Sequence, residues 1–317
     1  MTTELLEPFV RMLDEIASPA AVRAVEAGGE WQAMWRAIAA SGFLDALVGE
    51  DQGGSGLTLA QVEPLLQALG ASAVPLPVGE TMIARALLAH AGIAAPAGPV
   101  VLAATQGQPV PCALVANHAL VDTGAALAVT PLSEMEVTAT GVHGSLAAVL
   151  SGPAQSLALP RPANGLRSIA AVLRACLIAG AAARVCDMAA AHAAQRVQFG
   201  KPIGKQQALQ QMLSVMAEDM VACRIAAQLG CAGGLDPALT HAATAKITTS
   251  AAAPRLAASA HAVHGAIGIA EEFDLQLLTR RLHEWRLADG SESYWSGQLG
   301  AERLGAPMSS MDFARTP

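Results

Sequence analysis

The 317-residue chain is predicted to be mainly α, with an N-terminal helical domain, a short β middle domain and a C-terminal four-helix bundle. Three observations predict this. Large apolar residues recur at steps of three and four through both ends of the chain. Between about Val100 and Leu159 that spacing gives way to short apolar runs divided by Gly, Pro, Asn and Asp. The composition is 53% hydrophobic but only 3% aromatic, so Ala and small aliphatics carry the count, a balance suited to closely packed helices. The expected boundaries are 1–97, 98–160 and 161–317.

In the first part, Leu5, Val10, Met12 and Leu13 begin an amphipathic helix, and Trp31, Met34, Trp35 and Ile38 make another. The glycines between Ser41 and Gly56 prescribe an irregular connection, and Thr58 is placed to cap a helix starting at Leu59. In the middle part, Val100–Ala104, Ala113–Ala116, Ala119–Val121 and Ala126–Val129 are expected to be strands.

The last part begins with an Ala-rich run from Leu166 to Gln195, in which Ile169, Val172, Leu173, Cys176 and Leu177 fall at helical spacing. A second run puts Leu209, Met212, Leu213, Met216, Met220 and Cys223 on one face. The breaker Phe199-Gly200-Lys201-Pro202-Ile203-Gly204 turns the chain between them. A third helix is expected from about Pro237 to Ala262, interrupted or kinked near Pro254. A turn at His264–Ile269 follows, then a helix bearing Leu275, Leu278, Leu282 and Trp285. The segment Asp289–Trp295 opens a final helix.

Several function classes are excluded at this level. Net charge is −7 with no Lys/Arg cluster, which argues against nucleic acid. The longest uncharged run, Ala86–Val121, is broken by Gly, Pro, Gln, Asn and His and does not suit a membrane span. The five cysteines lack metal-ligand spacing, and the four in helix-like runs are expected to be small core residues in a reducing compartment. No basic and apolar leader precedes the first helix, so a cytoplasmic location is expected.

The turn near residue 200 carries specific chemistry. Arg196 ends one helix, Phe199 and Gly200 form the corner, and Gln206 and Gln207 open the next helix. A guanidinium, a flat ring and amides beside a helix N-terminus suit an anionic aromatic ligand such as a dinucleotide. The same residues also suit a plain helical hairpin whose Arg caps the last carbonyls.

Arg196, Phe199, Gly200, Lys201 and Gln207 resemble the Arg-x-x-Phe-Gly-Lys corner, with its following Gln, of the acyl-CoA dehydrogenase family. That resemblance implies FAD as cofactor and an acyl-CoA thioester as substrate, desaturated between its α and β carbons. The electrons then pass to an external acceptor. His264-Gly265-Ala266-Ile267-Gly268 resembles the family's Gln-x-His-Gly-Gly-x-Gly turn, whose glycines let backbone approach the ADP part of FAD; Ala266 replaces the second Gly and Ala262 the Gln. Gly290-Ser291-Glu292-Ser293 resembles the Gly-Thr-x-x segment that contacts FAD. The implied cofactor set is therefore Arg196, Phe199, Gly200, Gln207, His264, Gly265, Gly268, Ser291 and Ser293, with no metal.

In many members a Glu directly before that Gly removes the substrate α-proton, and here the residue is Asp289. Asp before Gly is also a common helix N-cap. Where other members carry their Glu early on the first bundle helix, this chain has Ala170, so the resemblance leaves Asp289, or else Glu292, as base.

The middle domain is reduced relative to the family, and the Thr-Glu-x-x-x-Gly-Ser-Asp and Trp-Ile-Thr-Ser segments have no counterpart. Together with the ending Thr279–Arg286, this resembles bacterial members acting on large acyl-CoA thioesters, including sterol side chains, in which a short subunit pairs with a full-length one. Two readings follow: a working flavoenzyme in a homo-oligomer, or a non-catalytic, FAD-clamping subunit of a hetero-oligomer.

Overall fold

Five helices precede the strands: α1 (Thr2–Ile16), α2 (Pro19–Glu26), α3 (Gln32–Ala40), α4 (Leu59–Ala71) and α5 (Val78–His90). The structure is a computed structural model and describes residues 2–152 and 158–315. Local chemistry sets the helix starts. Ser18 caps α2 by accepting from the Ala21 amide, with Pro19 where a missing N–H costs nothing. Thr58 and Gln61 form a reciprocal capping box on α4. Phe9 on α1 is fully buried and meets Phe43 edge-on at 4.7 Å.

Seven short strands follow: β1 (Val100–Ala103), β2 (Pro109–Val110), β3 (His118–Asp122), β4 (Leu127–Pro131), β5 (Glu136–Ala139), β6 (Ala148–Ser151) and β7 (Ala158–Leu159). They form a sheet ordered β1-β3-β4-β7 and a smaller one ordered β2-β6-β5. β1 runs parallel to β3, and the other pairs are antiparallel. Ala113–Ala116 is not the expected strand but a single 3-10 turn, Ala113–Val115. Cys112 enters it at φ 58, which breaks the extended backbone, and the Leu114 amide bonds sideways to Leu146 O at 3.0 Å.

The C-terminal bundle comprises α6 (Gly165–Gln195), α7 (Gln207–Cys231), α8 (Leu239–His264) and a fourth position filled by two shorter helices, α9 (Leu275–Leu287) and α10 (Glu292–Gly305). A short α11 (Ser310–Arg315) ends the described chain. α8 passes through Pro254 without interruption. One lost backbone rung is outweighed there by the burial of Ala252, Ala253, Leu256 and Ala257. All five cysteines are free, four of them buried.

α6 is the axis of the molecule. Among the described residues it is the one helix long and apolar enough to cross a membrane, and it is packed inside the protein instead. Its contact with α4 is unusually close. A Cβ on Gly70 would strike the Leu177 carbonyl of α6, and a Cβ on Gly180 would strike the Gln67 carbonyl of α4. Each helix thus offers a bare glycine to the other's backbone.

Candidate cofactor and catalytic sites

The residues singled out in the sequence fall at the two ends of the bundle, not in one place. Arg174, which touches Asp289, and Arg196 both ride on α6, roughly 33 Å apart along its axis at 1.5 Å per residue.

At the first end, α9 stops at Leu287 and α10 starts at Glu292, joined by a turn in which Asp289 has φ 58 and Gly290 φ 103. A left-handed Asp is uncommon and needs outside support. The Trp295 indole N–H donates to the Asp289 carbonyl at 3.1 Å, and a Cβ on Gly290 would collide with Tyr294 and Trp295. The α10 N-cap is Ser291, whose Oγ accepts from the Tyr294 amide, so Asp289 does not cap the helix. Ser293 lies exposed on the first turn of α10.

The Asp289 carboxylate accepts from Arg174 Nε at 3.0 Å, while Arg174 Nη1 donates to Glu80 on α5. Arg174 is fully buried. Burial opposes its charge, but Glu80 and Asp289 outweigh burial and hold its pKa above the ordinary Arg value. Glu292, the alternative base, pairs with Arg286 at 3.0 Å, and that hydrogen bond holds its pKa below the usual carboxylate value. Ala170 is completely buried. Arg167, one turn earlier on α6, donates to Thr105 Oγ1 at 2.8 Å and lies 4.5 Å over the Tyr294 ring, tying the end of β1 to α10.

Beside this turn a cavity of about 370 Å³ opens between the middle domain and α9, walled by Pro109, Pro111, Val142, Ala147, Leu287 and Ala288. Part of its polar lining is already paired, while Gln108, His283 and Arg281 Nε have no hydrogen-bond partner among the described residues. Ser145 Oγ donates to Glu284 at 3.0 Å, and Arg280 and Arg281 hold Glu26 at 2.6 and 2.9 Å. The cavity suits an apolar body.

The second end is open and cationic. β8 (Val197–Gln198) and β9 (Lys201–Pro202) pair around Phe199 and Gly200, whose φ values of 52 and 77 make a type I′ hairpin. That turn needs positive φ at both central residues, which Phe adopts at a cost, and the ring is 91% exposed. Arg196 caps α6 and its guanidinium has no hydrogen bond or ion pair among the described residues. Gln207 is exposed on the first turn of α7.

α8 ends at the same place. Gly265 takes φ 62, and a Cβ on Gly268 would meet His264 and His261. His264 is buried, donates from Nδ1 to Ala260 O at 2.8 Å, and leaves Nε2 buried without a partner. Its ring lies 4.5 Å from that of His192 on the last turn of α6. Burial, with His264 and Arg196 adding repulsion, lowers the His192 pKa. Arg196, Phe199, Gly200, Gln207, His264, Gly265 and Gly268 therefore share one end, while Asp289, Ser291 and Ser293 share the other.

Residues 168–304 match the family model described as "Acyl-CoA dehydrogenase, C-terminal domain". The chain is 30% identical over 291 residues to acyl-CoA dehydrogenase IpdE2 of Mycobacterium tuberculosis, covering 88% of this chain and 90% of that protein. The chain belongs to the acyl-CoA dehydrogenase family. It matches IpdE2 of Mycolicibacterium smegmatis at 30% identity over 289 residues, 88% of this chain and 91% of that one. The acyl-CoA dehydrogenase fold is seen again in the ChsE4-ChsE5 complex of Mycobacterium tuberculosis, at TM-score 0.82 and 21% identity over 97% of this chain and 98% of that one.

Arg174, Glu80, Tyr294 and Arg167 pack around the Asp289 turn and were not singled out in the sequence. The available signal was Arg174 itself, the single charge between Ser168 and Ala183 in an otherwise small and apolar helix.

Proposed function

We propose that this chain is the short subunit of a hetero-oligomeric acyl-CoA dehydrogenase. It clamps the ADP half of FAD for a full-length partner and does not itself remove the substrate proton. One observation carries the reading. The carboxylate at the base position, Asp289, is tied to a buried arginine, while the Arg196 corner at the other end is exposed and, among the described residues, unpaired.

A general base must be free to take a proton. Asp289 instead accepts from the buried Arg174 guanidinium, which also binds Glu80, so its carboxylate is already engaged. The corner has the chemistry the ADP half needs. Arg196 offers a bidentate cation for a pyrophosphate, Phe199 a flat face, Gln207 an amide, and Gly265 an exposed backbone step. When bound, FAD supplies the oxidant that turns an acyl-CoA thioester into its α,β-unsaturated product and passes the electrons to an external acceptor. The ChsE4-ChsE5 complex, and a second fold relative, the Tcur3481-Tcur3483 steroid ACAD at TM-score 0.81, pair two chains, which supports a hetero-oligomer and a bulky acyl group here.

The second reading is a homo-oligomeric flavoenzyme with Asp289 as base, and the apolar cavity next to Ala288 favours it. The visible spectrum separates the two. The clamp reading expects the chain purified alone to be colourless and to bind flavin once a full-length family member is co-expressed. A yellow chain, bleached by an acyl-CoA without any partner and silenced by Asp289→Asn, would overturn it in favour of the second.

A further inference from the structure

The turn that carries Asp289 is fixed from outside its own backbone. Lys246 on α8 is fully buried, and its Nζ donates to Ser250 Oγ at 2.9 Å, Trp285 O at 2.7 Å and Arg286 O at 2.7 Å. The last two are carbonyls of the final turn of α9, which a helix leaves without amide partners. Three acceptors meet the three N–H groups of an ammonium, and the Ser250 hydroxyl then keeps its own proton for Arg286 O at 3.3 Å.

The charges around it are few and come from every neighbouring element. They are Arg174 of α6 with its partner Glu80 of α5, Arg286 of α9, Asp289 of the turn and Glu292 of α10. Arg286 and Glu292 pair with each other. That leaves two cations, Lys246 and Arg174, against two carboxylates, Glu80 and Asp289. The set is neutral with the proton on Lys246 and carries one excess negative charge without it.

We propose that Lys246 is the positioning residue of the Asp289 turn and that the turn is held by the proton on its ammonium. With the proton in place both α9 carbonyls are bound. Without it the Ser250 hydroxyl turns to fill the amine's lone pair, Arg286 O loses the Ser250 hydrogen bond, the end of α9 loosens, and the turn moves with it. Burial pulls the Lys246 pKa down to about 7, with Asp289 pulling the other way, so the handover falls near neutral pH. This holds whichever functional reading is correct, because every group involved belongs to this chain.

The Trp295 indole N–H, which donates to Asp289 O, is the natural probe. In the ¹⁵N-labelled full chain its resonance, assigned with Trp295→Phe, is expected to shift with a midpoint near 7. Lys246→Met should remove that step. Asp289→Asn takes away the negative neighbour and should move the midpoint to lower pH, which a merely space-filling lysine would not produce. A wild-type resonance that stays flat through neutrality, or a step that persists in Lys246→Met, overturns the proposal. Should Lys246→Met fail to fold, the Asp289→Asn midpoint decides alone, and one that stays put or rises overturns it.

Discussion

The Asp289 carboxylate is bound to Arg174 Nε at 3.0 Å, and the side chains involved are 9% and 1% exposed. A buried pair of this kind adds little over an apolar replacement, but removing one partner strands the other. Arg174→Met should therefore cost about 3–5 kcal/mol in a urea unfolding series, by leaving Glu80 and Asp289 uncompensated. Adding Glu80→Gln and Asp289→Asn to that variant should return a large part of the loss. A triple variant no more stable than the single one would show that the charges are not what holds this end together.

The pH dependence of folding follows from Lys246. Its folded pKa of about 7 lies below the unfolded value of 10.5, so above neutrality the unfolded chain binds the extra proton. Stability should then rise with pH, by up to about 1.4 kcal/mol per unit, starting near 7. Below that point the contribution is lost. Burial pushes the Cys112 and Cys223 thiols up to about 12, and these act in the opposite sense once unfolded thiols ionise near 9. The comparison with Lys246→Met is therefore cleanest between 7 and 9, where the variant should lack the rise.

At the open end, Arg196→Ala in the partner-bound protein should weaken flavin retention by one to two decades, the worth of roughly 1.5–3 kcal/mol of charge-assisted hydrogen bonding. Absorbance of bound flavin after dilution reads this directly. Unchanged retention with normal helical circular dichroism would remove Arg196 from the cofactor site.

Phe199 separates stability from binding. Its φ of 52 suits glycine, so Phe199→Gly should stabilise the chain by up to about 1 kcal/mol in thermal unfolding. The same change should lower flavin retention, because the exposed ring is lost. A residue held in strain for no function would show the first effect without the second.

Gly180→Ala ought to help an ordinary helix by about 1 kcal/mol. Here the added methyl meets the Gln67 carbonyl, so a net loss of about 1–3 kcal/mol is expected in urea unfolding. A stabilised variant would mean that α4 and α6 can part at little cost.

Much of this architecture was legible in the residues. α6 and α7 follow from apolar spacing, the α4 start from Thr58, and the hairpin corner from Phe199-Gly200. The run Ala113–Ala116 misled because four small apolar residues look alike in a strand or a turn, and the deciding left-handed step at Cys112 has no sequence mark. The candidate sites were legible as motifs but not as places. Spacing along the chain does not reveal that Asp289 and Arg196 lie at opposite ends of the bundle. Nor does it bring Glu80, Arg174 and Lys246, far apart in sequence, into one buried charge set.

The glycine contact between α4 and α6 has a mechanical consequence. Two bare backbones that each fit against the other's carbonyl leave no lubricating layer of side chains, so neither helix can slide by even one 1.5 Å step without ramming a Cα substituent into an oxygen. The joint behaves as a keyed shaft: it transmits displacement whole. A displacement of α4 along this contact is therefore expected to carry α6 with it.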